Sequence, residues 1–270
     1  MDTIKYNSQF NGFTIEELSG IDYTGSGYQY LLIPQTKENA HLYVGTIVLS
    51  NEGVKVQIDS IIYLNEKALE GESIRVHPKS SKLYIAEEGY KNSAVFVVTE
   101  NNKLETVFTS TETQRLNRGY EGLCFNTNGS IMYIGLERAK NGNETKIIAY
   151  NLESKTSKTY SYSLDLLDED KQLDNGITEL LSLTDSTLLV VERAYLGAAL
   201  GTSVRVYKAQ VPTAGNHIKK IKLLTDFKGV PQVDNIEGVT FSATGKELIF
   251  ISDNNGNRHQ QNQFICMKIQ

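Results

Sequence analysis

The sequence predicts an all-β chain folded as a single five-bladed β-propeller of four-stranded blades. Strand-like segments recur at intervals of about 50 residues, each repeat contains a hairpin with turn residues between its strands, and five repeats fill the 270 residues. The composition agrees, because 15 Tyr and 9 Phe with only 4 Pro favour strands. We therefore predict one domain over residues 1–270.

The first strand of each hairpin carries a polar residue at its second position, which precedes a small or apolar pair. The five segments are LSGIDY at 18–23, GESIRV at 71–76, YEGLCF at 120–125, TELLSL at 178–183 and IEGVTF at 236–241. A period of this length is typical of propellers, since one blade cannot bury both of its faces without neighbours.

The second strand of each hairpin is an apolar run that ends in polar residues. The five runs are YQYLLIPQ, KLYIAEEG, IMYIGLER, TLLVVERA and ELIFISDN. Further strands follow in each repeat, but the last repeat has only FICMKIQ after its hairpin. We expect residues 3–10 to supply its outer strand, so that pairing of the two chain ends closes the ring and removes an open edge. Six blades, or a β-sandwich, are the alternatives.

Several motifs resemble the phytase-like family, also described by its esterase-like activity of phytase. They are ELSGIDY at 17–23, AEEG at 86–89, RLNRGYEGLCFNTNG at 115–129, ELLSLTDSTLLVVERAY at 179–195 and NIEGVTFSATGKELIFISDNN at 235–255. The resemblance spans nearly the whole chain. It implies a β-propeller fold and, in many relatives, a secreted or periplasmic location.

The repeated polar position predicts a metal site. First strands line the channel of a propeller, so this position forms a ring, which in this sequence consists of Ser19, Glu72, Glu121, Glu179 and Glu237. Carboxylates gathered there need a compensating cation or hydrogen-bond donors. Oxygen ligands in irregular geometry suit Ca²⁺. The alternative is that each Glu hydrogen-bonds to the neighbouring blade and holds the ring together.

The ends of the second strands predict the remainder of a site on the same face, because antiparallel hairpins bring these ends beside the starts of the first strands. Glu137, Glu192 and Asp253 are the candidate general bases. Arg118, Arg138 and Arg193 are the candidates for binding an anionic group, since guanidinium matches phosphate and carboxylate. Pairing of these arginines with nearby Glu is the alternative.

Other features narrow the class of protein. The net charge of −5 and the absence of basic runs argue against nucleic-acid binding. No apolar stretch is long enough for a transmembrane helix, and residues 1–10 do not form a signal peptide, so the compartment stays undetermined by this chain. We expect Cys124 and Cys266 to be free, buried thiols, and the protein to be a monomer.

These observations favour a Ca²⁺-dependent hydrolase that acts on a small anionic substrate such as a phosphoester. No G-x-S-x-G motif or phosphate-binding loop is present in the sequence. The alternatives are a noncatalytic binding propeller with a structural cation, and a lactonase-like enzyme.

Overall fold

A computed structural model describes residues 1–89, 93–109, 119–138, 143–165, 174–197, 201–227 and 233–269. This part of the chain contains 22 strands and no helix. No helix in it therefore has the length and hydrophobicity that crossing a lipid bilayer requires. Cys124 and Cys266 are free thiols, as predicted, with Cys124 buried and Cys266 partly exposed.

Four blades each consist of four consecutive strands, ordered from the channel outward. Blade one contains β4 (Leu18–Tyr23), β5 (Gln29–Thr36), β6 (His41–Ser50) and β7 (Gly53–Tyr63). Blade two contains β8 (Leu69–Val76), β9 (Leu83–Glu87), β10 (Ala94–Val98) and β11 (Leu104–Thr109). Blade three contains β12 (Tyr120–Phe125), β13 (Ile131–Leu136), β14 (Glu144–Asn151) and β15 (Ser157–Ser163). Blade four contains β16 (Asp174–Thr184), β17 (Thr187–Tyr195), β18 (Thr202–Gln210) and β19 (His217–Asp226).

Blade five closes the ring with both ends of the chain. Its strands are β20 (Ile236–Phe241), β21 (Glu247–Ser252), β22 (Asn262–Lys268) and β1 (Asp2–Ile4). The predicted closure is confirmed, but the outer strand is shorter than the expected residues 3–10. A turn ends it, in which Ser8 N–H donates to Lys5 O and Asn7 has a positive φ of 62°. Afterwards β2 (Gln9–Phe10) and β3 (Phe13–Thr14) form a small separate hairpin.

The core consists of apolar layers between blades. The described residues form five buried apolar clusters, and each cluster combines side chains from two adjacent blades. The first strands β4, β8, β12, β16 and β20 contact one another in a closed circle around the channel. Each blade therefore buries its faces against its two neighbours, which is why the repeats form a ring.

A β-bulge at the start of every first strand sets the geometry of the channel. The pairing with the second strand skips one residue in the first half of each first strand; the bulged residues are Ser19, Glu72, Glu121, Thr178 and Glu237. Blade four has a second register shift, between Ser182 and Thr184. A bulge leaves its extra residue unpaired and re-aims the side chain. The polar position that repeats in the sequence therefore corresponds to the bulge, which is a fixed feature of each blade.

Glycine follows the bulge in blades one, three and five because the next blade approaches closely. A Cβ on Gly20 would lie 2.9 Å from Glu72 O, and one on Gly122 would lie 2.8 Å from Leu180 N. Blades two and four instead carry Ser73 and Glu179 at this position, and the Ser73 hydroxyl donates to both Glu179 oxygens at 2.9 and 3.0 Å. These two side chains thus connect blades two and four across the channel.

Candidate functional site

Three bulged carboxylates converge at one end of the channel. Glu72, Glu121 and Glu237 are each more than nine-tenths buried, yet all three line a cavity of about 360 Å³. The end of each second strand contributes one further polar side chain, as the hairpin geometry predicts: Gln35, Glu88, Glu137, Arg193 and Asp253. Glu70 and Asn255 complete the lining. We call this space the acid cavity, because seven carboxylates and one arginine are among the described residues that line it.

One side of the acid cavity has the geometry of a cation site. Glu72, Glu88 and Glu121 each offer a carboxylate oxygen, and these three atoms lie within 4.8 Å of one another. Glu72 accepts a hydrogen bond from Gln35 Nε2 at 2.7 Å, and Glu88 accepts one from Gly119 N–H at 3.0 Å. Hydrogen bonds of this kind fix the orientation of a carboxylate that could bind a cation.

The other side of the acid cavity carries its own positive charge. Arg193 contacts Glu137 through Nη2 at 3.1 Å, and its Nη1 contacts Glu237 and donates to Asn235 Oδ1 at 2.7 Å. Asn235 Nδ2 donates to Glu237 at 2.8 Å, which fixes that carboxylate a second time. Arg193 therefore balances charge on this side of the acid cavity.

Burial and mutual repulsion make full ionisation of this cluster costly. Burial raises the pKa of Glu72 well above its ordinary value, and Glu237, Glu88 and Asp253 raise it further. Burial likewise raises the pKa of Glu121 well above the usual range, with Glu72 the next strongest influence. The pKa of Asp253 is raised well above normal by burial and then by Glu237. A bound cation would therefore favour the ionised forms of Glu72, Glu121 and Asp253.

The donor set fits Ca²⁺, which prefers several carboxylate oxygens in a flexible arrangement. Ser19, the bulged residue of blade one, is fully buried, and its hydroxyl oxygen has no hydrogen-bond partner among the described residues. It is not among the described residues that line the acid cavity, so its predicted role as a metal ligand stays a prediction. If Ca²⁺ binds, Glu72, Glu88 and Glu121 would hold it.

Glu179 does not occupy the ring position that we predicted for it from the repeat. In blade four Ile177 pairs with Glu192 and Glu179 pairs with Val191. The bulged residue is therefore Thr178, which lies between them. Thr178 Oγ1 donates to Ile236 O at 3.2 Å, in the neighbouring blade. The equal spacing of the Glu residues was misleading, because a shift of one residue along a strand turns the side chain to the other side.

Glu179 instead belongs to a charged plug in the channel. Its carboxylate pairs with Arg75 Nη2 at 2.9 Å and accepts hydrogen bonds from Leu123 N–H and Leu180 N–H. Burial raises the pKa of Glu179 to about 7 against the opposing effect of Arg75. These contacts join several blades. Glu179 therefore has the alternative role predicted for the ring residues, which is to hold the blades together.

Arg75 is the centre of this plug. Its guanidinium donates to Ile21 O at 2.7 Å, Leu180 O at 2.8 Å and Val239 O at 3.0 Å, which belong to blades one, four and five. Its side chain is only 4% exposed. Sequence reasoning missed it, because GESIRV shows an isolated Arg in a strand and nothing in that pattern places it on the channel axis.

Glu192 lies away from the acid cavity. It accepts a hydrogen bond from Tyr162 Oη and contacts Lys220 Nζ, both at 2.6 Å, between blades three and four. Adjacent residues of a strand face opposite ways, so Arg193 faces the cavity and Glu192 does not. Arg138 is partly buried and is not among the described residues that line the acid cavity. The prediction for Arg118 falls outside the described residues.

A second cavity of about 320 Å³ adjoins the acid cavity. The two share Glu137, Arg193 and Asn255. The other described residues that line it are uncharged: Asn175, Gly176, Tyr195, Thr202, Asn235 and Gln260. We call it the amide cavity. Its residues come from strand ends and loops of blades four and five, which individually carry no sequence signal for a site.

The closed ring and the acid cavity define a five-bladed β-propeller with one strongly acidic binding space on its axis. Residues 14–256 match the family described as Phytase-like, esterase-like activity of phytase. The chain belongs to this family, and the resemblance predicted from the sequence is confirmed. No curated protein matches the chain.

Solved structures with a similar fold share little sequence with the chain. A protein from Lactobacillus plantarum is 13% identical, with 83% of this chain and 61% of that chain covered and a TM-score of 0.46. The Cps50 (Swd1) β-propeller domain of Myceliophteria thermophila is 14% identical, with 92% and 73% covered and a TM-score of 0.45. A proposed 6-phosphogluconolactonase from Bacteroides uniformis is 8% identical, with 96% and 70% covered and a TM-score of 0.47. The fold assignment rests on the strand order and not on these similarities.

Proposed function

We propose that the protein is a Ca²⁺-dependent hydrolase of phosphoesters or related anionic esters, and that the acid cavity is its active site. The observation that carries the proposal is the convergence of Glu72, Glu88 and Glu121 within 4.8 Å inside a cavity that Arg193 also lines. A bound Ca²⁺ would polarise the ester and offset the negative charge of the cavity.

The charge of the cavity determines the order of binding. Seven carboxylates and one arginine line it, so an anionic ester is repelled until the carboxylates are neutralised. If Ca²⁺ binds, Glu72, Glu88 and Glu121 would hold it, and Arg193 would be available in the same cavity for the anionic group of the substrate. Substrate affinity is therefore expected to depend on Ca²⁺.

Asp253 is the best-placed general base of the three candidates. It lines the acid cavity, and its Oδ1 accepts a hydrogen bond from Asn255 N–H at 2.7 Å. Burial and Glu237 raise its pKa, which makes its carboxylate more basic than an ordinary aspartate. Glu137 is held by Arg193, and Glu192 lies between other blades, so neither is as available to accept a proton from water.

The experiment that tests the proposal combines a thermal melt with an activity assay. EDTA-treated protein should gain about 3 kcal/mol of stability at a Ca²⁺ concentration one hundred times its Kd. Glu72→Gln and Glu121→Gln should lose most of this gain and also the hydrolysis of p-nitrophenyl phosphate. Glu38→Gln, at an exposed position, is the matched control and should behave like the unmodified protein. Absence of any Ca²⁺ effect at millimolar concentration would refute the proposal.

A noncatalytic propeller is the second candidate, and the contacts between blades favour it. Glu72 with Gln35, Glu88 with Gly119 and Glu237 with Arg193 each join two adjacent blades. If this were their whole role, Glu121→Gln would change stability without any turnover to lose. Glu121 separates the two candidates. Burial and other carboxylates are the strongest influences on its pKa, which is the environment of a cation ligand and not of a residue that links two blades.

A further inference from the structure

The outermost strand of blade four, β19, has a long uncovered edge. β15 of blade three pairs with it only at His217 and Ile218. Ile218 belongs to the apolar cluster between blades three and four, and Leu224 packs on the cluster between blades four and five. Ile221 and Leu223 lie between these two positions, are 54% and 43% exposed, and belong to none of the clusters of described residues. Two large apolar side chains are therefore exposed on the rim of the propeller.

Two β-bulges interrupt this edge strand. The pairing with β18 passes from Lys220 to Lys222, so Ile221 is an extra residue, and Leu224 is a second one. An extra residue is unpaired and its side chain is re-aimed. Bulges and lysines on an edge hinder pairing with a further strand. These features argue against strand addition by another protein, and against pairing with the same edge of a second copy, where lysine would face lysine.

Lysines surround the two exposed apolar side chains. Lys219 and Lys222 are exposed, and Lys208 is partly buried. Lys208 lies directly across from Lys222 on β18, and like charges at such a position destabilise a sheet. Lys220 is paired with two carboxylates, but none of the other three lysines has a carboxylate of a described residue at ion-pair distance. A local positive charge thus lies on a chain whose net charge is −5, and an anionic partner would relieve the repulsion.

We propose that this surface docks on an anionic lipid membrane. We call it the basic rim, and it consists of Lys208, Lys219, Ile221, Lys222 and Leu223. Apolar side chains flanked by lysines match a bilayer interface, because the apolar groups enter the boundary of headgroups and acyl chains while the ammonium groups contact anionic headgroups. The inference is independent of the proposed hydrolysis, since the basic rim lies on the outermost strands of blade four and the acid cavity lies at one end of the channel.

Sedimentation with sucrose-loaded vesicles tests the proposal, in EDTA so that Ca²⁺ cannot bridge protein and lipid. Vesicles of phosphatidylserine and phosphatidylcholine in equal amounts should bind the protein at least about tenfold more tightly than vesicles of phosphatidylcholine alone. Lys219→Gln combined with Lys222→Gln should weaken this binding roughly tenfold to thirtyfold. Ile221→Ser combined with Leu223→Ser should weaken it roughly threefold to tenfold. Added salt should weaken it as well.

Blade one offers a matched control on its two outer strands. Val48 is 38% exposed and lies directly across from the exposed Lys55, but Lys55 is paired with Glu52. Val48→Ser combined with Lys55→Gln should therefore leave vesicle binding unchanged. All these changes are at exposed positions, so the melting temperature of each variant should equal that of the unmodified protein.

Three results would overturn the proposal. The first is equal binding, or no binding, to the two kinds of vesicle. The second is binding to phosphatidylserine that survives the loss of Lys219 and Lys222. The third is binding of poly-glutamate through the same lysines without any binding of vesicles, which would assign the basic rim to an acidic protein partner.

Discussion

Replacing Arg75 with methionine should destabilise the whole ring, although the residue lies outside both cavities. Methionine keeps much of the side-chain volume but removes the charge that pairs with Glu179 and the donors that serve three other blades. Glu179 then remains as a buried carboxylate with no opposite charge at contact distance. Each of the three carbonyl groups on blades one, four and five loses a donor.

The expected decrease in the free energy of unfolding follows from these lost contacts. Removing one partner of a buried ion pair costs about 3 to 5 kcal/mol. Three carbonyls that each lose a donor add about 1 kcal/mol apiece at the low end of the usual range. A total of about 6 to 8 kcal/mol would use up much of the 5 to 15 kcal/mol typical of folded domains. Arg75→Met is therefore expected to be close to unfolded at neutral pH.

The dependence on pH has a definite sign. The folded-state pKa of Glu179 is already about 7 with Arg75 present, above the ordinary 4.5, and rises further without it. A raised carboxyl pKa contributes stability that is present at low pH and is lost as the pH rises through the folded value. The deficit of Arg75→Met should therefore shrink as the pH falls from 8 to 5.

Urea denaturation at pH 8 and at pH 5 measures both effects. Adding Glu179→Gln to Arg75→Met should restore part of the stability, because the uncompensated charge is gone. Lys55→Met is the matched control, since it breaks a surface pair with Glu52 at 3.4 Å and should cost less than about 1 kcal/mol. A loss below about 2 kcal/mol for Arg75→Met, or no rescue by Glu179→Gln, would refute the reasoning.

Three further predictions follow from the fold and the acid cavity. EDTA-treated protein should melt at a lower temperature as the pH rises above 5, because the raised pKa values of Glu72 and Glu121 favour the protonated folded state. In a pH series of melts, saturating Ca²⁺ should reduce the dependence of the melting temperature on pH. Gly176→Ala should cost about 1 to 3 kcal/mol in chemical denaturation and reduce turnover. Its new Cβ would lie 2.7 Å from Glu137 Cγ and from Glu137 O. Deleting residues 1–4 should expose the edge of β22, and light scattering should detect concentration-dependent association; a fully monomeric deletion variant would contradict this.

The fold was largely predictable because its determinants recur locally. Each hairpin carries its own apolar runs and turn residues, and the period limits how many blades the chain contains. The length of the closing strand was not predictable from that pattern. It depends on a turn at Asn7, which has a positive φ and interrupts an otherwise strand-like segment. Such a turn is determined by only three or four residues.

The site was predictable only where side-chain direction follows directly from the repeat. Glu72, Glu121 and Glu237 were found because the bulge repeats with the motif. Glu179 was misplaced because the bulge in blade four falls one residue earlier, and a pattern of polar and apolar residues does not show which of two adjacent positions is the extra one. The contacts of Arg75 join segments about 50 to 160 residues apart, and no local signal encodes them.

The two ends of the chain meet in blade five. The ring could therefore form equally well if the sequence began in another blade. Asp2 pairs with Phe264, so a short linker between the ends would replace a noncovalent junction with a covalent one. Loop-closure cost grows only with the logarithm of length, and closing the whole ring costs about 1.5 kcal/mol more than closing one blade. A circular permutant that begins at β8 and ends after β7 should therefore fold into the same five blades, with the former ends joined inside blade five.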